Sequence, residues 1–227
     1  MKTLGIIGGY GPETTAEFYL KLIALSRKNA QNYPSILIYN PSIPFELEKA
    51  MAGEGRDEAK MLPILINAAK KLEQSGADFI VIPCNTVHIF IEDIRKSVNV
   101  PVLSIIEETV SEIKKQNFRK IGLLATTSTI RNKLYQTPLE HNGIELIVPK
   151  DTNQQLIGEI IPRILASHIL ADDKESLLQI INTFKNEGAE AVVLACTDLP
   201  LLIAKTKSNL ALIDTLQVLA RSTNAIL

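Results

Sequence analysis

Two stretches of this chain repeat one pattern, 112 residues apart. Residues 76–86 and 188–198 each run from a glycine through an acidic residue and a row of β-forming residues to a cysteine, eight positions after the glycine. These two cysteines, Cys84 and Cys196, are the only ones in the sequence. Other landmarks recur in the same order at nearly the same spacing: 4–7 with 121–124, and 102–104 with 212–214. This repetition predicts two homologous lobes.

Strands and helices alternate along the chain, which predicts an α/β fold with parallel sheets. The strands ending near each cysteine are apolar throughout, as strands buried on both faces are. We therefore predict two pseudo-symmetric, Rossmann-like lobes with an active site in the cleft between them. The first lobe would contain residues 1–104 and about 214–227, and the second about 105–213. Residues 40–56 are predicted to form a loop, and residues 101–104 a fourth strand.

Composition excludes several classes of function. The net charge of -1 gives no reason to expect a nucleic acid or a membrane surface as partner. Two cysteines are too few for a disulfide framework, which indicates a reducing compartment. No apolar run approaches the ~18 residues that a membrane span needs, and the first residues lack the features of a signal peptide. We expect a soluble cytoplasmic protein.

The two cysteines suit a particular chemistry. Both would stand at the carboxyl ends of strands, where doubly wound sheets place their sites. The turns that follow them offer free N–H groups, which favour an anion and predict a lowered thiol pKa. The turns 8–11 and 126–129 would add uncharged N–H and hydroxyl donors. One thiol on each side of a carbon suits racemisation, because one group removes a proton and the other returns one to the opposite face. The sulfurs would then lie about 7 Å apart and stay reduced.

Four segments of the chain carry a resemblance to a known family. They are residues 8–15 (GGYGPETT), 83–88 (PCNTVH), 123–129 (LLATTST) and 195–201 (ACTDLPL). Together they resemble the cofactor-independent aspartate/glutamate racemases, and most closely the aspartate racemase branch. The resemblance covers the whole chain. It implies an amino-acid substrate, no cofactor or metal, a homodimer, and Cys84 and Cys196 as the two catalytic bases. The predicted substrate-binding residues are Tyr10, Gly11, Asn85, Thr86, Thr126, Thr129, Thr197 and Asp198.

The chain also departs from that family pattern. Tyr10 stands where the family usually has Met, Ala195 where it has Gly, and Asp198 where it has Glu. Aspartate racemases often carry Ile-Pro-Asp-Arg after the second strand, and that Arg holds a substrate carboxylate; here the segment reads Ile-Pro-Phe-Glu and ends at Glu46. Leu165 takes the place of a Lys with a similar role. Arg56, Arg131 and Arg163 are the candidate replacements for these cations.

The sequence leaves several alternatives open. Aspartate or glutamate is the expected substrate, but a hydantoin racemase, a maleate isomerase or a catalytically silent amino-acid binding protein would use the same framework. An arylmalonate decarboxylase is disfavoured, because such enzymes keep one cysteine. The turn 8–11 lacks the spacing of a dinucleotide-binding loop. His88 follows Cys84 by four residues and would either make a structural hydrogen bond or tune the thiolate.

Overall fold

The first of two parallel sheets is built from the amino-terminal half of the chain. The computed structural model describes residues 2–29, 33–203 and 208–227. The strands β1 (Thr3–Ile7), β2 (Ser35–Tyr39) and β3 (Phe79–Val81) lie in the order β2-β1-β3. The predicted fourth strand is reduced to a single bridge between Ile80 and Val102. It stops there because Ser104 turns away to cap the next helix, its hydroxyl accepting the N–H of Glu107.

The second sheet repeats this arrangement with four complete strands. They are β4 (Lys120–Ala125), β5 (Glu145–Ile147), β6 (Ala191–Ala195) and β7 (Ala211–Asp214), in the order β5-β4-β6-β7. When the Val102 bridge is counted as a fourth position, the two sheets have the same order, so the duplication in the sequence reappears as a duplication of topology. The predicted α/β fold with two parallel-sheet lobes is confirmed.

Helices flank both sheets, and none that the structure describes is both long and apolar enough to cross a membrane. The α-helices are α1 (Pro12–Asn29), α2 (Phe45–Lys49), α3 (Leu62–Gln74), α4 (Ile91–Ser97), α5 (Ile105–Lys115), α6 (Thr127–Arg131), α7 (Gln136–Glu140), α8 (Asp151–Leu165), α9 (Asp173–Asn186), α10 (Leu199–Ile203) and α11 (Thr215–Asn224). Short 3₁₀ segments lie at Glu58–Met61 and Thr86–Phe90, and a π-helical turn at Ala50–Glu54.

The prediction of a loop over residues 40–56 was wrong in its second half. Helix α2 and the π-helical turn occupy 45–54, beginning directly after Pro44. Met51 packs in the first lobe's core and Ala52 in the core around α8 and α9. Because Met51 and Ala52 pack against distant parts of the chain, tertiary packing stabilises a segment that has no periodicity of its own.

One of the hydrophobic cores lies between the two sheets. Leu4 and Phe79 of the first sheet belong to the same buried cluster as Ile121 and Ala191 of the second. Helix α11 lies against both α1 and α5 and adds Leu216 to this cluster. The lobes are therefore joined by a continuous apolar interface, and the carboxyl ends of their strands face a common cleft. The division near residue 104 stays a prediction.

Candidate active site

Cys84 is positioned by a hydrogen-bonded histidine. It follows β3, and the Cys84 carbonyl lies 2.7 Å from Nδ1 of His88. The N–H of Ile105 donates to Nε2 of the same ring at 3.2 Å. Because Nε2 accepts, Nδ1 must carry the proton and the ring is neutral. Burial lowers the pKa of His88 to about 4. Of the two roles considered for His88, the structure supports the structural hydrogen bond.

Cys196 lies beside a carboxyl group. It follows β6 directly, is 6% exposed, and its Sγ lies 3.6 Å from Oδ2 of Asp198. Burial, together with the charge of Glu48, raises the pKa of Asp198 to about 7. A carboxyl group that titrates near neutrality next to a thiol can accept and return the thiol proton.

Both cysteines line one small cavity of about 20 Å³, which holds about one water molecule. Its lining includes six of the eight predicted substrate-binding residues. It also includes Glu48, Met51 and Ala52, which the sequence did not place in the site, and Leu165, to which the sequence gave no binding role. The full lining is Tyr10, Glu48, Met51, Ala52, Cys84, Asn85, Thr86, Thr126, Leu165, Cys196, Thr197 and Asp198. The two remaining predicted residues, Gly11 and Thr129, touch this set from behind: Gly11 binds Glu48 and Thr129 binds Thr126.

The prediction that the pKa values of both thiols are lowered is wrong. Burial raises the pKa of Cys84 to about 12, outweighing the N–H groups of Val87 and Thr86 that lower it. Burial also raises the pKa of Cys196, and the charge of Asp198 adds to that effect. Both thiols are therefore protonated at neutral pH.

Glu48 is a component of the site that the sequence did not reveal. It comes from α2, is 8% exposed, and accepts the N–H of Gly11 on Oε1 at 2.6 Å. Burial raises its pKa, and this hydrogen bond offsets part of the rise. It lies in the segment predicted as a loop, where no pattern distinguished it from Glu46, so only the fold could bring it to the cleft.

Two hydrogen-bond clusters connect the halves of the site. The Thr86 hydroxyl lies 2.9 Å from that of Thr126, which is 3.0 Å from that of Thr129 and also caps α6. Asn85 accepts the Tyr135 hydroxyl at 2.6 Å and donates to the Thr215 hydroxyl at 3.0 Å. Both ends of the Asn85 amide are thus used within the protein, which makes Asn85 a positioning group for Cys84.

The glycine turn at 8–11 contributes differently from the prediction. Its backbone donors are engaged, Gly9 with the Thr15 hydroxyl and Gly11 with Glu48. Gly11 has a φ of +77°, and a Cβ there would lie 2.7 Å from the Thr14 hydroxyl, so a side chain is excluded. Tyr10 is buried and lines the cavity, and its hydroxyl has no hydrogen-bond partner within the described ranges.

None of the three candidate arginines reaches the cavity. Arg56 pairs with Glu54, Arg163 with Asp173, and Arg131 with Glu58. Leu165 does line the cavity, so an apolar group stands where a cation was expected. Glu46 is exposed and is absent from the lining.

The segment 45–58 covers the cavity and is fastened to the second lobe. A Cβ on Gly158 of α8 would lie 3.0 Å from the Gly53 carbonyl, so these backbones can approach closely only as glycines. Arg131 of α6 binds the Gly55 carbonyl and Glu58, and Ser128 also binds Glu58. Met51 and Ala52 of this segment line the cavity, so the position of the segment sets the cavity's size.

Within residues 2–29, 33–203 and 208–227, no group of three or more His, Cys, Asp or Glu side chains is arranged to hold a metal ion. The chemistry that the described residues offer is therefore that of two thiols, two carboxyl groups and several hydroxyl donors around one small cavity.

Known proteins share this sequence and fold. A sequence model for Asp/Glu/hydantoin racemase matches residues 7–223. The chain is 34% identical over 225 residues to the broad-specificity amino-acid racemase of Bacillus subtilis (strain 168), covering 97% of this chain and 96% of that protein. A glutamate racemase of Aquifex pyrophilus is 30% identical over 179 residues, which cover 74% of this chain and 65% of that one.

Two solved structures have a fold similar to that of this chain. An aspartate racemase homologue from Pyrococcus horikoshii OT3 superposes with a TM-score of 0.80 at 36% identity, covering 100% of this chain and 99% of that one. An aspartate racemase from Picrophilus torridus superposes with a TM-score of 0.81 at 27% identity, covering 99% and 95% of the two chains.

Proposed function

The chain belongs to the Asp/Glu/hydantoin racemase family, and we propose that it is a cofactor-independent amino-acid racemase in which Cys84 and Cys196 exchange the α-proton. One observation carries this proposal. The two cysteines come from equivalent positions of a duplicated fold and line the same cavity. A pseudo-twofold pair of acid/base groups matches a reaction whose two directions are mirror images.

Asp198 prepares one of the two thiols. In the proposed reaction its carboxylate accepts the proton of Cys196, 3.6 Å away. The resulting thiolate removes the α-proton from one face of the substrate, and the Cys84 thiol returns a proton to the other face. Cys84 is then the thiolate, stabilised by the N–H groups of Val87 and Thr86. With Cys84 as thiolate and Cys196 as thiol, the enzyme can remove the α-proton of the opposite enantiomer. One turnover in each direction therefore restores the starting protonation of both cysteines.

The hydroxyl groups around the cavity can donate hydrogen bonds to the substrate carboxylate. Thr86, Thr126 and Thr197 line it without net charge, and the unpartnered hydroxyl of Tyr10 adds a further donor. Removal of the α-proton moves negative charge onto the carboxylate oxygens, so donors fixed in advance around them stabilise the transition state. Asn85 acts indirectly, by holding the Cys84 turn against Tyr135 and Thr215.

Nuclear magnetic resonance in D2O tests the proposal by following deuterium incorporation at Cα and racemisation of both enantiomers. The panel includes aspartate and glutamate, which the resemblance predicts, and amino acids with neutral and basic side chains. Cys84→Ser and Cys196→Ser should each lower racemisation by about 10²–10⁴-fold, the usual contribution of a positioned acid or base. Thermal unfolding of each variant controls for loss of the fold.

Three outcomes would reject the proposal. Undiminished racemisation by either serine variant would remove the two-thiol mechanism. A covalent adduct on one cysteine would favour the maleate isomerase alternative, because that reaction uses a cysteine as nucleophile. Stabilisation by an amino acid without any Cα exchange would favour a silent binding protein. The homodimer and the cytoplasmic location stay predictions of the sequence.

A further inference from the structure

A second cavity adjoins the catalytic one. It measures about 340 Å³ and shares two lining residues with the catalytic cavity, Glu48 and Leu165. Its other walls include Glu13 at the start of α1, Asn40 and Phe45. A substrate whose α-carbon lies between the cysteines therefore has room for its side chain beyond Glu48 and Leu165. We refer to this second cavity as the outer cavity.

The charges around both cavities have one sign. The described lining residues include three carboxyl groups, those of Glu13, Glu48 and Asp198, and no Lys, Arg or His. The head group of an amino acid carries one positive and one negative charge, so it leaves the sum of charges unchanged. An acidic side chain would add a further negative charge to this lining, whereas a basic side chain would neutralise part of it.

Glu48 has an oxygen available for such a side chain. Its Oε1 is occupied by the Gly11 N–H, while Oε2 has no hydrogen bond in the part of the chain that the structure describes. The Tyr10 hydroxyl, buried beside it in the catalytic cavity, also has no partner among the described residues. Burying a polar group without a partner is costly. Oε2 of Glu48 and the almost wholly buried Tyr10 hydroxyl therefore indicate that a polar ligand binds here.

We propose that Glu48 makes this enzyme selective for amino acids with a cationic side chain, such as lysine, ornithine or arginine, over aspartate and glutamate. The inference rests on the proposed function. The side chain passes between Glu48 and Leu165 into the outer cavity, where its methylene groups contact Leu165 and Phe45 and its positive end pairs with Glu48. Asp198, next to Cys196, remains free to serve the thiol and the α-ammonium group.

The test compares kcat/KM for racemisation of four substrates: lysine, its uncharged analogue norleucine, glutamine and glutamate. The wild type should prefer lysine over norleucine, and glutamine over glutamate. Glu48→Gln retains the shape and an oxygen for the Gly11 N–H. It should reduce the lysine-to-norleucine ratio by about 10- to 100-fold, the contribution of a hydrogen bond to a charged group. Glu46→Gln is the matched control, because Glu46 is exposed on the same helix and lines neither cavity.

Each contrary outcome has a distinct meaning. A wild type that racemises glutamate better than lysine and norleucine overturns the charge selection while leaving the proposed racemase intact. Glu48→Gln lowering all four substrates by one factor also overturns it, since Glu48 would then serve the common head group. Absence of Cα exchange with every substrate overturns the racemase proposal and this inference together. If Glu48→Gln does not fold, the wild-type ratios still test the charge selection, because a wild type that does not prefer lysine over norleucine overturns the inference.

Discussion

Removing the hydroxyl group of Tyr135 should weaken both the fold and the site. This hydroxyl is fully buried and donates to Asn85 at 2.6 Å. Asn85 in turn donates to the Thr215 hydroxyl at 3.0 Å, which donates to the Leu194 carbonyl at 3.0 Å. The row of hydrogen bonds links Tyr135, directly before α7, to the Cys84 turn, to α11 and to β6. Tyr135→Phe interrupts it at its first bond and leaves the Asn85 oxygen buried without a donor.

The expected loss follows from that unpaired oxygen. A buried acceptor left without its partner costs about 1–3 kcal/mol, and Phe fills nearly the same volume, so little is added for a cavity. In a chain of this size each kcal/mol corresponds to about 2–4 °C in Tm. Because Asn85 is adjacent to Cys84, we also expect a lower kcat for racemisation, since the thiol is less firmly placed.

Urea unfolding followed by circular dichroism measures the free energy of unfolding by linear extrapolation. Tyr19→Phe is the control, because the Tyr19 ring is 38% exposed on α1 and the structure gives its hydroxyl no partner among the described residues. If Tyr135→Phe loses no more stability than this control, and kcat is unchanged, the hydrogen-bonded row does not hold the Cys84 turn and the reasoning fails.

Two further predictions concern the neighbours of the site. The pKa of His88 falls from 6.5 to about 4 on folding, so between these pH values the unfolded chain binds a proton that the folded chain does not. The free energy of unfolding should therefore fall by about 3 kcal/mol in total as the pH drops from 6.5 to 4. Urea titrations at each pH should show this part of the slope missing in His88→Asn, and an unchanged slope would contradict the structural role of His88. Gly158→Ala puts a Cβ 3.0 Å from the Gly53 carbonyl, so the segment 45–58 over the cleft should be displaced, at a cost of about 1–3 kcal/mol in packing. The KM for the substrate should then rise several-fold. The exposed Gln155→Ala on the same helix is the comparison, and equal KM values in the two variants would show that the cover does not depend on this contact.

The order of elements was accessible from the sequence because local patterns determine it. The alternation of strands and helices, with apolar strands before each cysteine, predicted the two parallel sheets that the structure contains. The strand near Val102 was overestimated, because the short run Pro-Val-Leu-Ser does not reveal that Ser104 will leave the sheet to cap a helix. Residues 45–54 were missed because their helical form depends on burial against α8 rather than on their own sequence.

The same division applies to the site. By itself the sequence determined which residues repeat, and therefore that Cys84 and Cys196 occupy equivalent positions at the ends of β3 and β6. Only the tertiary structure decided that Glu48 joins them, that Asn85 is engaged by Tyr135 and Thr215, and that the cavity between the cysteines holds about one water molecule. It also decided the protonation of the thiols, because a pKa depends on solvent and charges brought together from distant segments. Burial here outweighs the local N–H groups that the sequence predicted would control it.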